Sequence, residues 1–172
     1  MQQGRAERRL LGREFVRTDG KARVLVPVRM REALGEKVTM TTGLFGELRC
    51  HRDDSFWAYG EELLNQCDNH RQQEVISEHV LSVAMPGLEF DPSGRLTIRE
   101  QFRGETEIDR NTDVVVVWRV EGWMEIWNRA KYDDYRKNLG TFNGPLMEFL
   151  ESLKLPAEST DSARPAPRRA AK

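Results

Sequence analysis

The chain has 172 residues, 38% of them hydrophobic and 32% charged, with a formal net charge of -1. This length can bury a core without disulfide or metal staples, and no apolar run approaches the roughly 20 residues of a membrane-spanning helix. Near-neutral charge argues against a uniformly basic nucleic-acid binder, and the lack of a P-loop, a Gly-x-Ser-x-Gly elbow or a paired metal-ligand motif argues against an enzyme.

Charge is unevenly placed along the chain. Residues 1–31 carry nine Lys and Arg against three acids, so the remainder is acidic. A basic N-terminal fifth on an acidic body is the pattern of a localised anion-binding face. Residues 1–11 read as a basic arm without an apolar secretory segment, which predicts a cytoplasmic protein.

Residues 12–54 read as a first β-rich unit. Phe15, Val16 and Arg17 form a short strand, Asp19 opens a turn, and Arg23, Val24 and Leu25 return as the second strand of a hairpin. Pro27 suits the first turn of a short helix over Val28–Leu34 that Gly35 can end. A second hairpin is expected from Lys37–Thr42, a turn between Gly43 and Gly46, and residues 47–51. Residues 55–82 read as a helical connector, broken near Asp68 and Asn69.

Residues 83–129 read as a second unit of the same design. Leu88, Glu89 and Phe90 are expected as a strand, followed by a turn in which Asp91 accepts backbone N–H bonds, Pro92 presets φ and Gly94 takes a positive φ. Arg95, Leu96, Thr97 and Ile98 then alternate as the returning strand. The continuous run Val114, Val115, Val116 and Val117 predicts a strand buried on both faces, closed by a turn at Glu121 and Gly122 and a strand over 123–128. Residues 130–155 read as C-terminal helices, one over 129–139 and one amphipathic over 145–153, with Leu146, Phe149, Leu150 and Leu153 on one stripe. The Ala-, Pro- and Arg-rich residues 156–172 are expected to be a disordered tail.

The internal repeat is the strongest signal. Asp19, Arg23, Val24, Val26, Met30 and Arg31 recur in order and spacing as Asp91, Arg95, Leu96, Ile98, Phe102 and Arg103. The copies lie too far apart for a short-period solenoid, so a whole supersecondary unit is duplicated. Ala22 stands where the second copy has Gly94, which predicts strain at the first tip of about 1 kcal/mol or an adjusted geometry.

Cys67 with His70, and Cys50, His51 and His79 nearby in sequence, raise the question of zinc. The set lacks a second short-spaced pair, and Cys50 falls where a strand needs a small apolar residue, so no metal and no other cofactor is expected. Trp118, Trp123 and Trp127 sit among valines on adjacent strands, a pattern of core or subunit interface more than of a base-stacking platform.

With the two ordered copies of the Asp-to-Arg segment, the chain resembles the MraZ family of bacterial transcriptional regulators, over roughly residues 10–150. Asp19, Lys21, Arg23, Val26, Pro27, Arg29 and Arg31 carry the resemblance in the first half. Gly12, Ala84 and the strand Glu125, Ile126 and Trp127 fit as well. The departures are Ala22 in place of the family's glycine, Glu100 near its second proline, and Leu10 and Leu11 before Gly12.

The resemblance implies an α+β, β-rich fold of two tandem AbrB-like swapped-hairpin units with pseudo-twofold symmetry and flanking helices. It implies a homo-oligomer, ring-like, presenting basic hairpins to direct repeats in double-stranded promoter DNA. The implied function is a nucleoid-associated repressor acting upstream of the division and cell-wall gene cluster, including its own promoter. The candidate DNA-binding residues are Arg23, Lys21, Arg95, Arg17 and Arg13, and the turn-forming ones Asp19, Asp91 and Gly94. Arg23 and Arg95 can fork onto a phosphate or read guanine O6 and N7. The bland alternative is a salt bridge to Asp19 and Asp91 within each hairpin. Lys21 suits a phosphate, while Arg13 and Arg17 can track the backbone. The competing function is an oligomeric interaction module of the same fold with weakened DNA binding, motivated by the acidic second half.

Overall fold

A computed structural model describes residues 10–139. In chain order the elements are β1 (Arg13–Arg17), β2 (Arg23–Leu25), α1 (Val28–Leu34), β3 (Lys37–Thr42), β4 (Leu48–Arg52), α2 (Phe56–Asn65) and α3 (His70–Ile76), which runs into a π-helical stretch, Ser77–Leu81. There follow β5 (Met85–Glu89), β6 (Arg95–Thr97), α4 (Glu100–Thr106), β7 (Asp113–Trp118), β8 (Met124–Asn128) and α5 (Arg129–Asn138). One compact unit runs to Tyr135 and a second begins at Arg136. The expected basic arm (all but Leu10 and Leu11), the amphipathic segment over 145–153 and the tail lie outside the described residues.

The fold is α+β and antiparallel. Six strands form one sheet in the order β1-β7-β8-β4-β3-β5, and β2 with β6 forms a separate two-stranded ribbon. Strands β3 with β4 and β7 with β8 are the hairpins the alternation predicts.

The Asp19 and Asp91 segments differ from the simple hairpins expected of them. β1 does not pair with β2: it pairs with β7, while β5 pairs with β3 and β2 with β6. Each unit thus lends its first strand to the other unit's sheet edge. Strand β5 also ends at Glu89, so Phe90 lies in the connection to the turn. The reason is hydrophobic: Val24 and Leu96 are fully buried and face the common core, which neither unit could enclose alone.

The register records the duplication. Val24 lies opposite Leu96, its own repeat equivalent, as an approximate twofold axis through the ribbon demands. The axis also sets Arg49 opposite Glu125, where β4 meets β8. The backbone crosses over symmetrically: Val26 N–H donates to Gly94 O at 3.1 Å and Ile98 N–H to Ala22 O at 2.9 Å. The side chains repeat the relation, with Arg31 Nε on Val26 O and Arg103 Nε on Ile98 O, both at 3.1 Å.

The inner face of the large sheet, including Val38, Met40, Cys50, Val114, Val116, Met124 and Ile126, packs on the ribbon and on Met30, Leu34 and Phe102 of α1 and α4. Val115 and Val117 point to the other face, against Trp127 and Tyr132, so the four-valine run is buried on both sides. Each fully buried valine contributes about 1.5–3 kcal/mol relative to an exposed one. The helical connector breaks at 66–69, where Asn69 caps α3 by accepting from Gln72 N–H at 3.0 Å. The π stretch accepts hydrogen bonds from the Thr41 and Thr42 hydroxyls through Val80 O and His79 O.

Candidate nucleic-acid interface

Both tips are built by the same local chemistry. Asp19 Oδ1 accepts from the Lys21 and Arg23 amides at 2.9 and 3.0 Å, and Asp91 Oδ1 accepts from the Ser93 and Arg95 amides, both at 2.9 Å. Backbone bonds from Ala22 N to Asp19 O and from Gly94 N to Asp91 O close the turns. Both turns need a left-handed residue before the arginine, supplied by Ala22 at φ 55° and Gly94 at φ 78°. The first tip therefore keeps the geometry and carries alanine in a conformation that disfavours it.

Arg23 joins the two tips. Its Nε and Nη2 each lie 2.7 Å from Asp19 Oδ2, while its Nη1 donates to Asp91 Oδ2 at 3.1 Å. For Arg23 the salt bridge weighed as the bland alternative is present, and it spans both repeats instead of staying within one. Burial pushes the Asp19 carboxyl up, but the Arg23 and Lys21 amides and the Arg23 guanidinium outweigh it and hold it below the usual carboxylate range. Asp91 is held low by the Arg95 and Ser93 amides and by the charges of Arg23 and Arg95. Two acids and two arginines cancel here, and Arg17 is answered loosely by Asp113, so surplus positive charge at the first tip comes from Lys21.

The other candidates divide between this place and another. Lys21 is exposed, with its ammonium in no ion pair among the described residues, and Arg95 is half-buried beside Asp91. Arg17 makes a loose, exposed pair with Asp113 at 3.7 Å. Arg13 lies at the far end of β1, its guanidinium 5.4 Å from the Phe15 ring centre and 5.7 Å from that of Tyr132, with Nη1 donating to the Tyr132 hydroxyl at 3.2 Å. The structure thus groups Lys21, Arg23, Arg95 and Arg17 around the tips and sets Arg13 on an aromatic shelf.

Sequence reasoning missed Thr18 and the loop between α4 and β7. Thr18 is buried; its hydroxyl donates to Asp109 O and accepts from Thr112 N–H at 2.8 Å, and its amide donates to Thr112 O at 3.0 Å. Asn111 N–H reaches Asp19 O at 3.3 Å. A buried threonine beside the repeated aspartate was the available signal, since its hydroxyl needs a partner.

A second polar cluster lies on the other face of the sheet. Glu47 and Glu125 are buried; Arg49 Nη2 lies 2.7 Å from Glu47 Oε1 and Arg119 Nη2 lies 2.6 Å from Glu125 Oε2. The Trp123 and Trp127 indoles both donate to Glu125, at 3.2 and 2.8 Å. Trp127 is core, while Trp118 and Trp123 are half-buried. Burial pushes the Cys50 thiol up to about 12, which makes it inert. Among the described residues no group of three or more His, Cys, Asp or Glu could hold a metal ion, and no helix is long and apolar enough to cross a membrane.

No family model matches the chain. Several curated proteins resemble it over nearly their whole length. A "Transcriptional regulator MraZ" of Desulfitobacterium hafniense (strain Y51) is 32% identical over 141 residues, 81% of this chain and 96% of that protein. Proteins of the same name from Caldanaerobacter subterraneus subsp. tengcongensis and from Thermoanaerobacter sp. (strain X514) are 27% and 26% identical, each covering 85% of this chain and 99% of their own length.

Proposed function

The chain belongs to the MraZ family of transcriptional regulators, and from that premise we propose that it is a DNA-binding repressor of direct promoter repeats. Its sites lie upstream of the division and cell-wall gene cluster, its own promoter among them. It acts in the cytoplasm at the nucleoid as a ring-like homo-oligomer, and regulates without catalysing a reaction. Lys21 and Arg17 contact phosphates beside the first tip, and Arg13 tracks the backbone. Arg23 and Arg95 contribute at the dyad, by contact or by holding the tips that make it.

The observation that carries this reading is the pair of dyad-related tips, fixed rigidly to one another and bearing surplus positive charge at the first. A pre-organised charged edge loses little entropy on binding, which is what repeated recognition of a stiff duplex needs. Titrating the oligomer with duplex DNA from upstream of its gene and with scrambled duplex, at two salt concentrations, tests it. Tighter binding to the cognate duplex with a steep salt dependence is expected. Equal, weak binding to both rejects sequence-specific regulation.

The second reading, an oligomeric interaction module, is favoured by the second tip. There Ser93 replaces Lys21 and the exposed Glu89 occupies the place of Arg17, with Glu100 and Glu105 also exposed on α4. The same titration decides between them, since a module of this kind forms the oligomer and leaves cognate DNA unbound.

A further inference from the structure

We propose that Arg110 is a phosphate-contacting residue, delivered by the second repeat to the tip of the first. The inference rests on the DNA-binding reading above and adds a residue outside the repeated motif.

The two repeats differ most between helix and strand. In the first, Gly35 and Glu36 suffice to join α1 to β3; in the second, residues 107–112 join α4 to β7. This longer loop is not spread over the surface. It folds back onto the first tip through Thr18 and through the bond from Asn111 N–H to Asp19 O. Glu107 at φ 57° and Asn111 at φ 52° both take the left-handed conformation, which asparagine tolerates but which costs Glu107 about 1 kcal/mol or more that the loop's bonds must offset.

The charges of the loop are sorted. Glu107 pairs with Lys131 at 3.2 Å, and Asp109 pairs with Arg103 at 3.4 Å. Both acids are therefore answered within the protein. Arg110, the next residue after Asp109, is exposed, and its guanidinium has no ion pair or hydrogen bond among the described residues. With both loop acids paired to Lys131 and Arg103, the one unanswered charge of the loop is the Arg110 guanidinium, beside Asp19 and on the side of the dyad that already carries Lys21 and Arg17. Among the described residues the second tip has no counterpart, since the short connection of the first repeat carries Glu36. An exposed guanidinium on an anchored loop, near the first tip's unpaired Lys21, suits a phosphate oxygen and carries no base specificity of its own.

The test uses the full-length oligomer, with duplex DNA from upstream of the gene and a scrambled duplex of equal length. Arg110→Ala is expected to weaken both duplexes by the same factor and to lower the slope of log K against log salt by about 1 per engaged copy. Arg110→Lys should restore most of the slope, while Arg71→Ala, which removes an exposed arginine on α3, should change neither quantity. Thermal melting of each variant guards against a folding defect. Wild-type affinity and slope in Arg110→Ala, beside a loss in Lys21→Ala, overturns the inference and leaves the DNA-binding reading standing. A loss confined to the cognate duplex overturns the phosphate assignment. Failure of the unaltered protein to bind either duplex overturns the reading and the inference together.

Discussion

Arg49 on β4 and Glu125 on β8 lie opposite each other in register at the centre of the six-stranded sheet, and they are the same position of the two repeats. Identical residues on this axis would set like charges face to face. The duplicated sheet instead carries opposite charges, 3.7 Å apart, within the chain Glu47, Arg49, Glu125 and Arg119. Burial opposes the charge on Arg49, but Tyr59, Glu47 and Glu125 together outweigh it and raise its pKa.

Removing Arg49 should therefore be costly. In Arg49→Met the buried Glu47 carboxylate keeps only the Phe45 amide, and loss of one partner from a buried ion pair costs about 3–5 kcal/mol. Urea unfolding at neutral pH measures this. A change below about 1 kcal/mol, the range of an exposed pair, would show that the cluster is solvated and not buried.

His51 gives the stability a pH dependence. Burial, and then the Arg49 charge, push its imidazole from the ordinary 6.5 down to about 3. It is neutral when folded and protonates first in the unfolded chain. Its contribution is therefore complete above about pH 6.5 and is lost as pH falls from there toward 3, at up to about 1.4 kcal/mol per unit. His51→Phe preserves a ring to stack on Tyr59, whose centre lies 4.2 Å away, and removes a buried Nε2 that lacks a partner in the structure. Its stability should be unchanged or higher at pH 7, with a shallower slope between pH 6 and 4. An unaltered slope would move the acid sensitivity elsewhere.

These two groups also mark where the sequence stopped being legible. The tips could be read because their chemistry is local: Asp19 and Asp91 bond amides two and four residues ahead, and any chain with those residues forms the turn. The valine run could be read because burial on both faces leaves no polar alternation. Strand partners could not, since nothing near Phe15 says that it will lie opposite Val115 instead of returning on Val24. The buried acids were equally hidden. A glutamate in a strand normally faces water, and Glu125 is buried because the indoles two residues to either side of it are joined by the guanidiniums of Arg49 and Arg119 from other parts of the sheet.

The unequal tips predict substitutions of opposite sign. Ala22→Gly relieves a left-handed alanine and should stabilise by up to about 1 kcal/mol. Gly94→Ala should destabilise by more than that, because it creates the same backbone strain and places a Cβ 2.4 Å from Cζ of Arg31, whose Nε is held on Val26 O. Paired thermal melts of the two variants check this. Stabilisation by both would mean that the turns are free to change type.

Arg23 permits the sharpest distinction, because its two roles predict opposite effects of a third residue. If Arg23 serves DNA by contact, its charge matters and the neighbouring carboxylates oppose it. If it serves by position, it holds Asp19 and Asp91 together so that the tips meet the duplex in fixed register. Arg23→Ala weakens binding under both roles and cannot separate them. Asp91→Asn can. The asparagine oxygen still accepts from the Ser93 and Arg95 amides, so the turn survives, while the charged bridge from Arg23 Nη1 to Oδ2 is lost. One negative charge also leaves the surface facing DNA. Under the contact role, affinity in Asp91→Asn should stay equal or rise, because Arg23 is freed toward phosphate. Under the positioning role it should fall, with the salt slope unchanged because no phosphate contact is removed. Three of the guanidinium's donors are already engaged by carboxylates, so we expect the fall, for cognate DNA and in proportion to the loss in Arg23→Ala. Affinity that rises in Asp91→Asn would return Arg23 to the phosphate.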